Sequence, residues 1–254
     1  MILSQFDSNP IAVINPNDCV QRVDNMPKTC VMCYSTVTFN RIIEELDAKI
    51  FAKTFLANGE VPVYKAIYKG CEIALCMALV GAPSVVAILE DLHVMGIEKF
   101  IIFGTCGVLD RNISDCSVII PNVSVRDEGT SYHYAPESDE INVNDADSIA
   151  KFTDILDNLN TEYIIGKAWT TDGIYRETRQ KVEARKQQGC ICVDMECSAV
   201  AAFAQFRKLD VFCFFYAADN LDNEKWDPRS ISNDSMLAEK DKVAFLALEL
   251  ALVL

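Results

Sequence analysis

The chain has 254 residues, of which half are hydrophobic and 24% are charged. This composition is typical of a folded globular protein and excludes intrinsic disorder. The length fits a single α/β domain. The formal net charge of -14 repels polyanions at long range, so we do not expect nucleic acid as a partner.

Cysteine and histidine usage favours a cytoplasmic protein without a metal site. The eleven cysteines lie mostly in apolar runs and lack a repeated C-x-x-C pair with zinc spacing, so we expect buried, reduced thiols. Two histidines are too few for a zinc site. The N-terminus has no basic region followed by an apolar core, which predicts no signal peptide. The apolar tail 243–254 contains Glu249 and is too short to span a bilayer, so no membrane partner is expected.

Residues 1–27 are polar and contain proline, and they are predicted to form an N-terminal arm before a domain over 28–254. The domain begins with a predicted strand at 29–33 and a helix at 37–46. A hairpin turning at Lys69-Gly70 follows, with strands at 61–68 and 71–80, and then a helix from about 84 to 95.

The remaining pattern alternates apolar strands with amphipathic helices. A strand at 99–103 runs directly into Gly104-Thr105-Cys106-Gly107, as expected of a buried parallel strand with a functional turn at its carboxyl end. Further strands are predicted at 117–120, 164–169, 191–193 and 211–216, and helices at 147–159, 176–188, 196–207 and 235–253. We therefore predict a single-domain, three-layer α/β/α fold with a mixed, largely parallel central sheet.

Four polar or glycine-containing stretches follow these strands. They are 81–84 together with 104–107, 124–136, 171–175, and 193–199 together with 218–219. Each has a structural alternative when taken alone: Gly-x-x-Gly is common in tight turns, Glu196 is placed to cap a helix, and Asp219 to begin a turn. Their order favours a functional site, because the carboxyl ends of parallel strands meet at one edge of a sheet.

Together these stretches resemble the nucleoside phosphorylase family of purine and uridine phosphorylases, over about residues 28–220. The resemblance implies an enzyme that needs no cofactor and takes a nucleoside and phosphate as substrates, assembled as a homodimer or a homohexamer. It implies catalytic roles for Glu196 and Asp219. The other implied substrate-binding residues are Thr105, Cys106, Gly107, Ile174, Tyr175, Thr178 and Met195, and the implied phosphate-binding residues are Ser35, Arg41, Gly104 and Thr105.

The chemistry of N-glycosidic cleavage requires such residue types, because positive charge builds on the sugar and negative charge on the departing base. Glu196 can bind the ribose hydroxyls and favour the developing cation, beside an apolar wall from Met195. Asp219, with its pKa raised by burial, can protonate the leaving base. Thr105 and neighbouring backbone N–H groups can hold the attacking anion.

The chain also departs from the family pattern at the phosphate site. Ile102 occupies a position where the family usually has arginine, no arginine occurs near Gly59, and Ser35-Thr36-Val37 replaces a Gly-Asp-Pro turn. Three alternatives therefore stay open beside a phosphorylase that prefers purines: a uridine phosphorylase, an N-ribosyl hydrolase, and a nucleoside-binding protein without turnover.

Overall fold

A computed structural model describes residues 2–57, 59–231 and 235–254. The helices of the described chain are α1 (Pro16–Cys19), α2 (Thr36–Glu45), α3 (Ala82–Met95), α4 (Ala146–Asn158), α5 (Arg179–Gln187), α6 (Cys197–Arg207) and α7 (Leu237–Ala251). The strands are β1 (Thr29–Cys33), β2 (Lys49–Leu56), β3 (Gly59–Tyr68), β4 (Cys71–Met77), β5 (Lys99–Val108), β6 (Val118–Asp127), β7 (Glu140–Asn142), β8 (Tyr163–Thr171), β9 (Cys190–Asp194) and β10 (Asp210–Asn220).

The predicted hairpin is confirmed as β3 and β4. Lys69 and Gly70 have φ values of 47° and 84°, and positive φ at both central residues defines the turn whose twist matches antiparallel strands. β2 adds to this hairpin as a further antiparallel edge strand. Polar residues alternate poorly with apolar ones along β2, which explains why its sequence did not indicate a strand.

The sheet is mixed and curls on itself at one end. β1 pairs in parallel with both β4 and β5. β5 and four further strands close into a ring in which β5 pairs with β10, β10 with β6, β6 with β8, β8 with β9, and β9 with β5. The curling brings the carboxyl ends of β1, β5, β9 and β10 towards one place.

Helices cover both sides of this sheet, which confirms the three-layer α/β/α prediction. On one side α3 and α6 pack on a core that includes Phe100 and Phe203. On the other side α2, α4 and α7 pack on a second core that includes Phe103 and Phe152. Among the described residues, no helix combines the length and the apolar character needed to cross a membrane.

Two further segments bear on the site. β6 extends seven residues beyond the predicted strand and includes Arg126, whose guanidinium is buried and donates to Ser131 and to the carbonyl oxygen of Pro136. This arginine holds its own loop together.

The predicted helix at 176–188 begins only at Arg179, because Ile174–Arg176 forms a separate 3-10 turn before it.

Candidate active site

A cleft of about 180 Å³ opens where β1, β5, β9 and β10 end. Its walls combine four carboxylic acids with apolar and small residues. The lining residues are Tyr34, Val80, Thr105, Cys106, Gly107, Ile174, Glu177, Val193, Asp194, Met195, Glu196, Phe215, Asp219, Leu221 and Ile231. The structure therefore brings together both predicted catalytic acids and five of the predicted substrate-binding residues.

A wider chamber of about 500 Å³ adjoins the cleft and shares Ile174, Glu177 and Asp219 with it. Tyr175 and Trp226 contribute aromatic side chains to this chamber. Trp226 is 60% exposed and lines this chamber. An apolar chamber with a few polar groups suits a planar heterocycle.

Asp194 caps helix α6, and this frees the carboxylate of Glu196. One oxygen of Asp194 accepts from the backbone N–H groups of Glu196 at 2.8 Å and of Cys197 at 2.6 Å. Its other oxygen accepts from the hydroxyl of Thr170 at 2.7 Å. Glu196 makes no side-chain capping bond to α6, although it stands at the N-cap position. The capping role that its sequence position suggested belongs to the residue two places earlier.

The Glu196 carboxylate instead lies in the cleft wall. Its Oε1 accepts from the backbone N–H of Gly81 at 2.5 Å, which ties the turn before α3 to the start of α6. Burial raises the pKa of Glu196, and the nearby carboxylate of Asp194 raises it further. A group in this position can accept a hydrogen bond from a sugar hydroxyl while remaining fixed at its other oxygen.

Asp219 also lines the cleft, near the end of β10. Burial raises its pKa above the ordinary value, while its Oδ2 accepts from the indole N–H of Trp226 at 2.7 Å. Gly107 allows this packing: a Cβ atom there would lie 2.4 Å from Leu221 and 3.1 Å from Oδ1 of Asp219. A side chain at this end of β5 would displace Leu221 and press on the acid.

The cleft is strongly acidic. Glu177, which the sequence analysis missed, lies on the wall shared with the chamber, and burial together with the charge of Asp219 raises its pKa to about 7. Among the described lining residues there is no lysine or arginine. The charge on any bound anion must therefore be met by backbone N–H groups, by protonated acids or by residues outside this wall.

Tyr34 is a second residue that the sequence analysis missed. It follows β1 directly and lines the cleft. Its ring occupies the space left by Gly104, where a Cβ atom would lie 2.6 Å from the ring. The predicted phosphate-binding Gly104 therefore lies behind this ring, and it is not among the residues that line the cleft.

The structure does not bring three other predicted residues into the cleft wall. Arg41 lies on α2 and pairs with Asp241 of α7, beside a separate cavity. The hydroxyl of Ser35 caps α2 by accepting from the N–H of Thr38 at 3.3 Å. Thr178 similarly caps α5. Their polar groups serve helix ends or a surface ion pair instead.

Comparison with known proteins places this chain in a family. The family model described as the phosphorylase superfamily matches residues 28–250. A guanosine phosphorylase of Halorubrum lacusprofundi is 27% identical over 243 residues, covering 95% of this chain and 90% of that protein. A DeoD-type purine nucleoside phosphorylase of Buchnera aphidicola is 24% identical over 182 residues, covering 68% of this chain and 77% of that protein.

The fold has a solved counterpart. The crystal structure of a uridine phosphorylase from Vibrio fischeri superposes with a TM-score of 0.75 at 22% sequence identity, covering 98% of each chain. This similarity concerns the fold. Because the family model spans most of the sequence, from the strand before the cleft to the last helix, the chain belongs to the phosphorylase superfamily.

Proposed function

We propose that this protein is a nucleoside phosphorylase that cleaves the N-glycosidic bond of a purine nucleoside with phosphate. The products are the free base and ribose 1-phosphate. The observation that carries the proposal is the presence of Glu196 and Asp219 on the walls of one cleft. These are two acids in different surroundings, one available to the sugar and one beside the chamber that suits the base.

At the sugar end, Glu196 accepts hydrogen bonds from the ribose while Gly81 holds its other oxygen. Burial and Asp194 raise the pKa of Glu196 to about 8, so the group is ionised mainly above that pH. In the ionised form, a carboxylate beneath the sugar also stabilises the positive charge that develops as the glycosidic bond lengthens. Met195 supplies an apolar wall beside it.

At the base end, Asp219 acts as the general acid. As the bond between the sugar C1′ and the base nitrogen breaks, a phosphate oxygen bonds to C1′ and the proton of Asp219 passes to a ring nitrogen of the base. A purine has a ring nitrogen that can take this proton, whereas the charge of a departing uracil spreads onto oxygens that amide or guanidinium donors meet better. The guanosine and purine nucleoside phosphorylases among the relatives support the choice of purine.

Of the three groups to be bound, phosphate has the fewest candidate ligands in the cleft. Thr105 and the backbone N–H groups at the end of β5 are the proposed ligands. The N-terminus of α2 at Ser35 follows β1, which pairs with β5. We also propose assembly into a homodimer or a homohexamer.

The acidic cleft favours hydrolysis as a second candidate function. Four carboxylic acids and no cationic side chain line the described wall, and this arrangement repels phosphate but can bind and orient a water molecule. The same two acids would then serve an N-ribosyl hydrolase, with water in place of phosphate.

One experiment separates these functions. The protein is incubated with inosine, guanosine, adenosine and uridine, with and without phosphate, and the base and sugar products are identified by chromatography. We expect phosphate-dependent release of purine bases. Release that is equal without phosphate and yields free ribose would establish the hydrolase, and exclusive cleavage of uridine would overturn the choice of purine.

A further inference from the structure

Residues 221–227 form a strap that follows β10 and carries Trp226, an aromatic residue of the chamber wall. The backbone groups of Asn220 and Asp227 hydrogen-bond to each other in both directions, at 2.9 and 3.1 Å, and close the base of the strap. Trp226 lies just before this closure, and its indole reaches back to Asp219. The position of the indole on this acid therefore depends on what holds the strap.

The first half of the strap is held through Asp222. Its carboxylate accepts from the guanidinium of Arg111 at 3.0 Å and from the ammonium group of Lys186. The guanidinium of Arg111 also donates to the carbonyl oxygen of Asp222 at 2.8 Å. These bonds tie the first half to the loop after β5 and to α5.

The second half of the strap is held by Arg179, the first residue of α5. Its guanidinium donates to the carbonyl oxygens of Leu221 at 2.8 Å and of Asn223 at 2.6 Å. Within the described chain, no other residue hydrogen-bonds to the strap backbone between Asp222 and Asp227. The segment that leads to Trp226 is therefore tied to the domain through this one side chain and through the indole itself.

The start of α5 sets the position of Arg179. The hydroxyl of Thr178 caps this helix by accepting from the N–H of Lys181 at 3.4 Å, so the side chain of Arg179 leaves from a fixed backbone. A guanidinium presents its donors in a rigid planar fork and can reach two carbonyl oxygens at once, whereas lysine carries a single ammonium group on a flexible stem.

We propose that Arg179 is a positioning residue for the general acid, because its hold on the strap keeps the indole of Trp226 on Oδ2 of Asp219. The inference rests on the proposed function, in which Asp219 protonates the base. It assigns Arg179, a residue of the chamber wall, an effect on catalysis that requires no contact with the substrate.

Releasing the strap has a defined consequence for Asp219. The indole N–H favours the ionised carboxylate, so its withdrawal should raise the pKa of Asp219, which burial already raises. Removing the positive charge of Arg179 would act in the same direction, so the test must separate the fork from the charge. The other titratable or charged groups that face Asp219 stay in place; they are Glu177, Cys106, Asp227 and Arg229.

The test measures kcat for inosine against pH in Arg179→Met and Arg179→Lys, each made in the wild type and in Trp226→Phe. In the wild-type background both substitutions should lower kcat by roughly threefold to tenfold and move its alkaline limb to higher pH, since lysine keeps the charge but not the fork. In the Trp226→Phe background neither should move the limb further. Wild-type behaviour of Arg179→Lys, or an equal shift in both backgrounds, would overturn the proposal.

The matched control is Arg176→Met. Arg176 is an exposed arginine in the turn just before α5, and it is not among the described residues that line the chamber. This substitution removes the same charge three residues earlier and should leave kcat and its pH profile unchanged. A shift as large as that of Arg179→Met would assign the effect to charge alone and contradict a positioning role.

Fluorescence separates this inference from the proposed function. The chain has two tryptophans, and Trp169 is fully buried with its indole N–H bonded to Asp127, so nanosecond motion in the anisotropy decay reports on Trp226. Both Arg179 variants should increase the amplitude of this motion, and Arg176→Met should not. The measurement needs no turnover, so it decides the role of Arg179 even if no nucleoside is cleaved and the proposed function fails. An unchanged decay in Arg179→Met would overturn the inference.

Discussion

The indole N–H of Trp226 donates to Oδ2 of Asp219 at 2.7 Å. Because the carbonyl oxygen of a carboxylic acid is the better acceptor, this bond favours a neutral Asp219 that carries its proton on Oδ1. Oδ1 is the oxygen beside Gly107, a residue of the cleft wall. Trp226 therefore favours Oδ1 as the oxygen that delivers a proton to a substrate.

Replacing Trp226 by phenylalanine should raise the pKa of Asp219, because burial already raises it and the lost hydrogen bond favoured the ionised form. The other charged groups that face Asp219 remain in place; they are Glu177, Asp227 and Arg229. The alkaline limb of the kcat profile should therefore move to higher pH, while kcat falls severalfold because the carboxyl group can rotate. An unmoved limb would show that the indole does not influence the acid.

Replacing Asp219 by asparagine should depress cleavage of inosine and guanosine far more than any residual cleavage of uridine. The amide keeps the size of the side chain and the acceptor for Trp226, but it has no proton to transfer to the base. The measurement is kcat/KM for each nucleoside. If the wild type prefers uridine and Asp219→Asn remains active, Asp219 is a turn residue without a catalytic role.

Replacing Glu196 by glutamine should cut turnover by about two powers of ten or more, some 3 kcal/mol of transition-state stabilisation, and leave folding nearly intact. Folding is spared because Asp194 and not Glu196 caps α6. Steady-state kinetics measure the loss of turnover, and urea unfolding measures the stability of the variant. Full activity in the variant would exclude Glu196 as a ribose ligand.

Asp194→Ala is the matched comparison for that experiment. It removes the cap, so the free energy of unfolding should fall by about 1–2 kcal/mol. It should also lower the pKa of Glu196, since the charge of Asp194 helps to raise it.

Stability should fall between about pH 5 and pH 8. The pKa of Glu177 is raised to about 7 and those of Asp194 and Glu196 are raised too, mainly by burial. Such carboxyl groups hold protons in the folded state that the unfolded chain has already released, so their contribution is complete below the ordinary carboxyl pKa of about 4 and is lost as pH rises through the folded value. Tm should be lower at pH 8 than at pH 5.5, and Glu177→Gln should reduce the difference. A higher Tm at pH 8 would contradict this electrostatic description.

The fold was largely predictable because its strands are continuous apolar runs and its helices are amphipathic. The motif positions were predictable for the same reason: once β5, β9 and β10 are placed, Thr105, Glu196 and Asp219 must lie at their carboxyl ends. The edge strand β2 was not predictable, because polar and apolar residues do not alternate regularly along it and its pairing depends on the hairpin beside it.

Residues that act through three-dimensional contacts could not be read from the chain. Nothing in sequence spacing shows that Asp194 would cap α6, that Tyr34 would fill the space at Gly104, or that Trp226 would reach back to Asp219. Arg41 illustrates the converse, since its sequence position suggested the cleft while its side chain pairs with Asp241. The only signals available beforehand were an acid two residues before Glu196 and a tyrosine at the end of a buried strand.

The most direct test of the central claim follows phosphate itself. Inosine and inorganic phosphate are incubated with the wild-type protein, and the mixture is followed by ³¹P NMR while free hypoxanthine is quantified. We predict a new phosphate ester, ribose 1-phosphate, that accumulates in equal amount to hypoxanthine. Hypoxanthine released together with free ribose, while the inorganic phosphate signal stays constant, would contradict phosphorolysis.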